Sequence, residues 1–206
     1  MKKEINKITL IIRKYSIEET LAIAEEANKY DCFNLEITTN TDDWQNIIKE
    51  VISKKYNNII VGAGTVLNMD LLKKAIDSGS QFVLAPIKMD KKMLDYCTEK
   101  NVVSVPAAFS PSEIYEMYSN GADVVKLFPA VDLPARYIKD IMAPLGQVPI
   151  MVVGGINVEN ISEYFKYGAK YAGIGSGICN REELKAGDKH TLEDNLLELS
   201  RLAKTL

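Results

Sequence analysis

The sequence predicts an α/β protein, a closed (β/α)8 barrel in which each of eight parallel strands is followed by a helix. Short apolar runs rich in valine and isoleucine recur eight times along the chain, as expected of buried parallel strands. Stretches with helical periodicity separate these runs, and parallel strands need such crossover helices. No linker rich in proline, glycine or serine divides the chain, so we expect residues 1–206 to form a single domain. An open α/β sheet is the alternative arrangement.

The elements follow one another in the order that a TIM barrel requires. The apolar runs are 8–12 (ITLII), 32–37 (CFNLEI), 58–64 (NIIVGAG), 81–86 (QFVLAP), 102–107 (VVSVPA), 123–128 (DVVKLF), 149–155 (PIMVVGG) and 171–176 (YAGIGS). The segment after the first run has an apolar helical face, and Ser16 is its expected cap. The segment that begins at Ser110 has a Ser-x-x-Glu start, typical of a capping box. In such barrels the active site lies at the carboxyl ends of the strands.

Composition excludes several classes of function. The net charge of −3 argues against a nucleic-acid partner, and the run ITLII is too short for a signal peptide or a membrane span. We therefore expect a cytoplasmic protein with neither a nucleic-acid nor a membrane partner. Three scattered cysteines without CxxC spacing indicate neither a disulfide framework nor a zinc site. The single histidine, His190, argues against a histidine-based metal site, so we expect no metal.

Lys126 lies inside an apolar run, where its ammonium group would have to leave water. Strand alternation places Val124, Lys126 and Phe128 on one side, facing either the barrel interior or the helix layer. Lys126 is then either a lysine that extends toward water near a strand end or a buried amine with a lowered pKa. A neutral amine attacks a ketone and forms a Schiff base, so Lys126 is the candidate nucleophile.

Glu36 is a second charged residue in apolar company, within FNLEITTN. It is either an outward-facing glutamate paired with a helix lysine or an acid in the barrel interior. Schiff-base chemistry needs a group that moves protons, both when the carbinolamine loses water and when the enamine is protonated. Because no histidine is placed for this task, Glu36 is the candidate acid–base residue.

Polar and glycine residues at other strand ends are candidates for binding. Barrels that bind phosphate do so after strands seven and eight, and the turns there contain Gly154, Gly155, Gly175 and Ser176. Glycine is also the ordinary residue of a tight turn, which is the alternative interpretation.

Two residues at earlier strand ends are candidates for holding a carboxylate. Thr65 follows VGAG, a segment that lacks the third glycine of a dinucleotide-binding motif, and could hold a carboxylate or a carbonyl group. Arg13 follows the first run, and its guanidinium suits a carboxylate or a phosphate. An ordinary surface arginine is the alternative for Arg13.

Five segments occur in the order found in one enzyme family: LEIT, VGAGTVLN, VKLFPA, VGGI and GIGS. Over about residues 8–176 the chain resembles the 2-keto-3-deoxy-6-phosphogluconate (KDPG) / 4-hydroxy-2-oxoglutarate (KHG) aldolase family. The resemblance implies a class I aldolase on a TIM barrel, independent of metal and cofactor and commonly a homotrimer. It also implies that Lys126 is the Schiff-base lysine and Glu36 the acid–base residue.

The resemblance implies further binding residues. Thr65 matches a residue of the pyruvate subsite, while Pro86 and Ser110 fall near positions that line the pocket. Gly154, Gly155, Gly175 and Ser176 match the phosphate-binding turns. With these matches, Arg13 and Thr65 are the expected ligands of the substrate carboxylate.

Asn40 marks a difference within the family. It stands in TTNT, where gluconate-type members have TLRT with an arginine that helps to bind substrate. Asn40 followed by Trp44, and Val-Gly-Gly on the seventh run, are more similar to the 2-keto-3-deoxy-6-phosphogalactonate branch. We therefore interpret Asn40 as a specificity residue. The segments PAAFS and LAPIK differ from both branches and leave the epimer open.

The expected function is reversible cleavage of a 2-keto-3-deoxy-6-phospho sugar acid to pyruvate and glyceraldehyde 3-phosphate. The small-molecule partners are this substrate and pyruvate. Two alternatives remain at this point: a phosphate-binding barrel enzyme without a covalent step, and a non-catalytic barrel that binds phosphorylated ligands.

Overall fold

The computed structural model describes residues 4–205, in which nine parallel strands form one sheet that curls into a nearly closed barrel. The order of the strands in the sheet is β5-β4-β3-β2-β1-β9-β8-β7-β6. The strands are β1 (Ile8–Ile12), β2 (Phe33–Thr38), β3 (Ile60–Gly64), β4 (Phe82–Leu84), β5 (Val103–Val105), β6 (Ala107–Ala108), β7 (Val125–Leu127), β8 (Ile150–Val153) and β9 (Tyr171–Ile174).

Strands β5 and β6 are two halves of one predicted run, interrupted at Pro106, which has no N–H group to donate. The backbone N–H of Val124 donates to the carbonyl of Ser104 at 3.2 Å, and that of Lys126 donates to the carbonyl of Pro106 at 2.9 Å. These bonds join the two ends of the sheet. The predicted (β/α)8 barrel is therefore confirmed, and the open sheet was the wrong alternative.

Helices follow the strands and form the outer layer. The first begins after Ser16, whose side chain accepts from the backbone N–H of Glu19 while the Glu19 carboxylate accepts from that of Ser16. This reciprocal capping explains why the chain turns into a helix there. The helices are α1 (Ile17–Ala27), α2 (Trp44–Ser53), α3 (Met69–Asp77), α4 (Lys91–Glu99), α5 (Pro111–Ser119), α6 (Tyr137–Leu145), α7 (Ile161–Lys166), α8 (Arg181–Lys185) and α9 (His190–Thr205), with a 3-10 turn at Ala130–Asp132.

Alternation along the strands separates two apolar layers. Outward-facing strand residues such as Leu35 and Val125 pack in the layer between sheet and helices. A smaller apolar cluster, which includes Phe82 and Met151, fills the barrel interior. No helix within residues 4–205 combines the length and the apolar character that crossing a bilayer requires.

Candidate active site

Lys126 points into the barrel. Its neighbour Val124, on the same side of the chain, belongs to the interior cluster, whereas Val125 and Leu127 pack outward against the helices. Lys126 is only 5% exposed, and its Nζ lies 4.7 Å from the centre of the Phe128 ring. Burial lowers the pKa of Lys126; nearby Glu36 opposes this shift and Arg13 adds to it. The amine is therefore easier to deprotonate than an ordinary lysine.

Glu36 also faces the interior, in the middle of β2. Its neighbours Leu35 and Ile37 pack in the outer layer, and Glu36 itself is 2% exposed. The Oε2 atom is fully buried and has no hydrogen-bond partner among residues 4–205. Burial raises the pKa of Glu36, while the positive charges of Lys126 and Arg13 act in the opposite direction. An unpartnered carboxyl with a raised pKa is suited to accepting and donating a proton.

The two residues face each other across the barrel. Glu36 stands on β2 and Lys126 on β7, and three strands separate them in the sheet. Both line a cavity of about 170 Å³ at the carboxyl end of the barrel. A small molecule in this cavity would lie between an amine and a carboxyl group.

Most predicted binding residues surround the same cavity. Its lining includes the predicted residues Arg13, Thr65, Pro86, Gly154, Gly155, Gly175 and Ser176. Thr65 has a φ of 60°, a left-handed conformation that costs a side chain with a branched Cβ about 1–3 kcal/mol. Its carbonyl accepts from the Thr39 hydroxyl at 2.7 Å, which helps to hold this conformation.

Two predicted residues lie outside this cavity. Ser110 is the N-cap of α5, where its hydroxyl contacts the Glu113 carboxylate at 3.1 Å. Asn40 lines a separate, wider groove of about 960 Å³, together with Lys14 and Arg181. The structure therefore brings together nine of the eleven predicted residues, all except Ser110 and Asn40.

The sequence reasoning missed the apolar part of the lining and one glycine. These residues are Ile11, Phe128, Val153, Ile156 and Gly173. For Phe128 the signal was available, because alternation places it on the same side as Lys126. A Cβ on Gly173 would lie 2.9 Å from the Val153 side chain, so the glycine leaves room for that side chain. Nothing in the local sequence distinguishes the other apolar residues from core residues.

A buried lysine opposite a buried glutamate, at the carboxyl end of a (β/α)8 barrel, meets the requirements of Schiff-base chemistry. Fold and site together define the class: a class I aldolase. Within residues 4–205, no three or more His, Cys, Asp or Glu side chains are grouped in a way that could hold a metal ion.

Comparison with known proteins agrees with this class. A model of the KDPG and KHG aldolase family matches residues 2–194. The KHG/KDPG aldolase of Escherichia coli (strain K12) is 30% identical over 170 residues, which are 82% of this chain and 77% of that protein. A solved native KDPGal structure has a TM-score of 0.86 at 20% identity, with all of both chains covered.

A third relative carries a covalent intermediate. The KDPG aldolase of Legionella pneumophila, solved with pyruvate captured as a carbinolamine, has a TM-score of 0.77 at 24% identity. The alignment covers 97% of this chain and 93% of that one. This chain belongs to the KDPG and KHG aldolase family, and it is therefore a lyase.

Proposed function

We propose that the chain cleaves a 2-keto-3-deoxy-6-phospho sugar acid to pyruvate and glyceraldehyde 3-phosphate through a Schiff base on Lys126. The neutral amine attacks the C2 carbonyl, and loss of water leaves a protonated imine. Removal of the C4 hydroxyl proton then breaks the C3–C4 bond, whose electrons move into the imine and form an enamine. The aldehyde leaves, the enamine is protonated at C3, and water releases pyruvate.

Glu36 is the proposed proton carrier in these steps. Acting through a water molecule, its carboxylate takes the C4 hydroxyl proton and later returns a proton to C3 of the enamine. Support comes from its position opposite Lys126, its burial and the absence of a hydrogen-bond partner at Oε2 within residues 4–205. A carboxyl tied up in hydrogen bonds would be a poorer shuttle.

The other predicted residues that line the cavity are the proposed ligands of the carboxylate and the phosphate of the substrate. Arg13 and Thr65 would hold the carboxylate, with Pro86 beside them. The backbone amides of Gly154, Gly155 and Gly175 and the Ser176 hydroxyl would hold the phosphate. The cavity is smaller than the roughly 300–1,000 Å³ of typical ligand sites. It would therefore take the reacting end, while the phosphate end lies along the glycine turns.

For substrate choice we propose the galactonate epimer, with Asn40 influencing the choice from outside the cavity. The groove that contains Asn40 is also lined by Lys14, the neighbour of Arg13. The test compares kcat/KM for the gluconate and galactonate substrates in the wild type and in Asn40→Arg. A changed ratio supports the role of Asn40, and an unchanged ratio contradicts it. A wild-type preference for the gluconate substrate contradicts the epimer assignment.

We also propose a homotrimer in the cytoplasm. Exposed apolar side chains at Ile87, Phe109, Tyr115 and Tyr118 lie on α5 and on the loops after β4 and β6, where they provide apolar surface for contact between copies. Light scattering on the purified protein measures the oligomer, and a monomer would contradict it. The cysteines within residues 4–205 form no disulfide, as is typical of proteins in a reducing compartment.

The observation that carries the proposal is the burial of Lys126 in the same cavity that Glu36 lines from the opposite side of the barrel. The test is borohydride reduction in the presence of pyruvate, followed by peptide mass mapping. A pyruvate adduct on Lys126, absent from Lys126→Met and retained in the exposed-lysine control Lys92→Met, supports the Schiff base. Absence of an adduct, or an adduct on another lysine, contradicts it and favours a phosphate-binding enzyme without a covalent step.

A further inference from the structure

Gly64 ends β3 directly beside the proposed acid–base residue. In the sheet it pairs with Thr38, two residues after Glu36 on β2. The backbone of Gly64 is outside the left-handed region, so its conformation by itself would admit any residue. A glycine is therefore required at this position because a side chain would have no room.

The space that a side chain would need is taken by the Glu36 carboxyl group. A Cβ on Gly64 would lie 1.6 Å from Glu36 Oε1, 2.3 Å from Cδ and 2.6 Å from Cγ. Non-bonded carbon atoms pack at roughly 3.5–4.0 Å, so even a methyl group cannot share this position with the carboxyl group. Either the Glu36 side chain rotates away or the two strands move apart.

Gly62, the other inward-facing glycine of β3, does not make room for the Glu36 carboxyl group as Gly64 does. It lies on the same inward face of β3, and a Cβ there would meet the Phe82 ring and backbone at 2.5–2.6 Å. One inward glycine of β3 thus makes room for a core ring of the barrel. The other makes room for a carboxyl group that lines the cavity.

We propose that Gly64 is a positioning residue for the aldolase reaction, because its missing side chain forms the slot that holds the Glu36 carboxyl group in place opposite Lys126. This inference rests on the proposed function, which gives Glu36 its proton-transfer role. Gly64 itself does not line the cavity, so it acts through Glu36 and not by touching substrate.

The slot predicts a specific defect in Gly64→Ala. The new methyl group displaces the Glu36 carboxyl group, while Lys126 on the other side of the cavity stays in place. Schiff-base formation with pyruvate should continue. The proton transfer that follows should slow. In that step a C3 proton of the protonated imine moves to Glu36, and the C–H electrons form the enamine. A solvent deuteron then returns to C3.

The experiment follows both steps in each variant. Exchange of the pyruvate methyl protons in D2O is measured by NMR, and the adduct on Lys126 by borohydride trapping. We expect Gly64→Ala to exchange at least tenfold more slowly than wild type, with trapping within twofold. Gly62→Ala, whose new methyl group meets Phe82, is the matched control and should keep the ratio of exchange to trapping. An unchanged ratio in Gly64→Ala would overturn the proposal.

A double-mutant cycle distinguishes an effect of Gly64→Ala on the Glu36 carboxyl group from an effect on the strand backbone. In a Glu36→Gln background the proton carrier is already gone, so adding Gly64→Ala should change exchange by less than twofold. In a Glu36→Asp background the shorter side chain leaves room, and the added loss should be clearly smaller than tenfold. The same fold loss in all three backgrounds would show that the methyl group acts through the strand, which contradicts the slot.

Stability provides a readout that does not depend on activity. If Gly64→Ala lowers the Tm or fails to fold, adding Glu36→Ala should restore the Tm, because the two groups then no longer compete for one position. Failure of Glu36→Ala to restore it contradicts the slot. A wild type that neither traps nor exchanges pyruvate would instead contradict the proposed function, and this stability coupling would still test the geometry.

Discussion

Replacing Lys126 with methionine should stabilise the fold while abolishing Schiff-base chemistry. Lys126 is 5% exposed inside the barrel, and burial lowers its pKa, with Glu36 opposing and Arg13 adding to the shift. Methionine is an unbranched side chain of similar length without a charge to desolvate. The substitution therefore removes the cost of keeping a titratable amine in the interior.

The size of the effect follows from the difference in proton binding between the folded and unfolded states. An unfolded lysine has a pKa of about 10.4, and each pH unit corresponds to about 1.36 kcal/mol. The penalty at pH 7 is therefore bounded at about 4.6 kcal/mol, the value that only a fully neutral amine would reach. Replacing buried charged groups by apolar side chains of similar volume stabilises proteins by about 1–4 kcal/mol, which lies within this bound. We expect Lys126→Met to raise the free energy of unfolding at pH 7 by about 1–4 kcal/mol.

The sign of the pH dependence is a second, independent test. Between the lowered folded pKa of Lys126 and about 10.4, the unfolded chain binds more protons than the folded protein, so wild-type stability rises with pH. Lys126→Met lacks this contribution. Its advantage should therefore be largest at the lower end of this window and shrink toward pH 10.

Urea unfolding followed by circular dichroism at pH 7, 8.5 and 10 measures the free energy of unfolding and its pH dependence, because this series reaches the upper end of the window. Lys126→Met is also compared with its parent in a Glu36→Gln background. There the loss of the lysine leaves no buried Glu36 carboxylate without a counter-charge, which would lower the free energy of unfolding. Lys92→Met, at an exposed position, is the control and should change stability by less than about 0.5 kcal/mol. A Lys126→Met protein that is no more stable than its parent in either background, or a gain that does not change with pH, would refute the burial argument.

Two further predictions concern the cavity lining. Glu36→Gln should lower kcat by about 10²–10⁴-fold in steady-state assays, because proton transfer is lost, while borohydride still traps pyruvate on Lys126. Loss of trapping would show that Glu36 is needed for imine formation instead. Thr65→Gly should raise the free energy of unfolding by up to about 1 kcal/mol in denaturant titrations, because it relieves the left-handed backbone at φ 60°. The same variant should raise KM for substrate through the lost side chain, and an unchanged KM would remove Thr65 from the proposed carboxylate site.

The sequence was sufficient for the barrel and for deciding which neighbours share a strand face with Lys126 and with Glu36. Strand alternation has a period of two, so the apolar neighbours on either side of Lys126 and Glu36 already separate an inward from an outward face. The choice between the interior and the helix layer needed the barrel itself. There Val124 belongs to the interior cluster and Val125 to the outer layer.

Ser110 and Asn40 show where resemblance and geometry differ. The Ser-x-x-Glu start at Ser110 already predicted a helix cap, and the structure contains that capping box. Asn40 is close in sequence to Glu36 but lines the neighbouring groove. Because the chain leaves the barrel at the end of β2, residues only a few positions apart turn toward different surfaces.

The sequence alone therefore determined the repeating strand–helix order, the count of strand–helix units that favours a closed barrel, and the two charged residues placed within apolar strands, since these depend on local periodicity and residue type. Tertiary structure alone decided the division of one strand at Pro106, the placement of Glu36 opposite Lys126 and the contact between Gly64 and the Glu36 carboxyl group. These features join residues on different strands. Their distances are set by barrel curvature and by the register between β2 and β3, which no local pattern encodes.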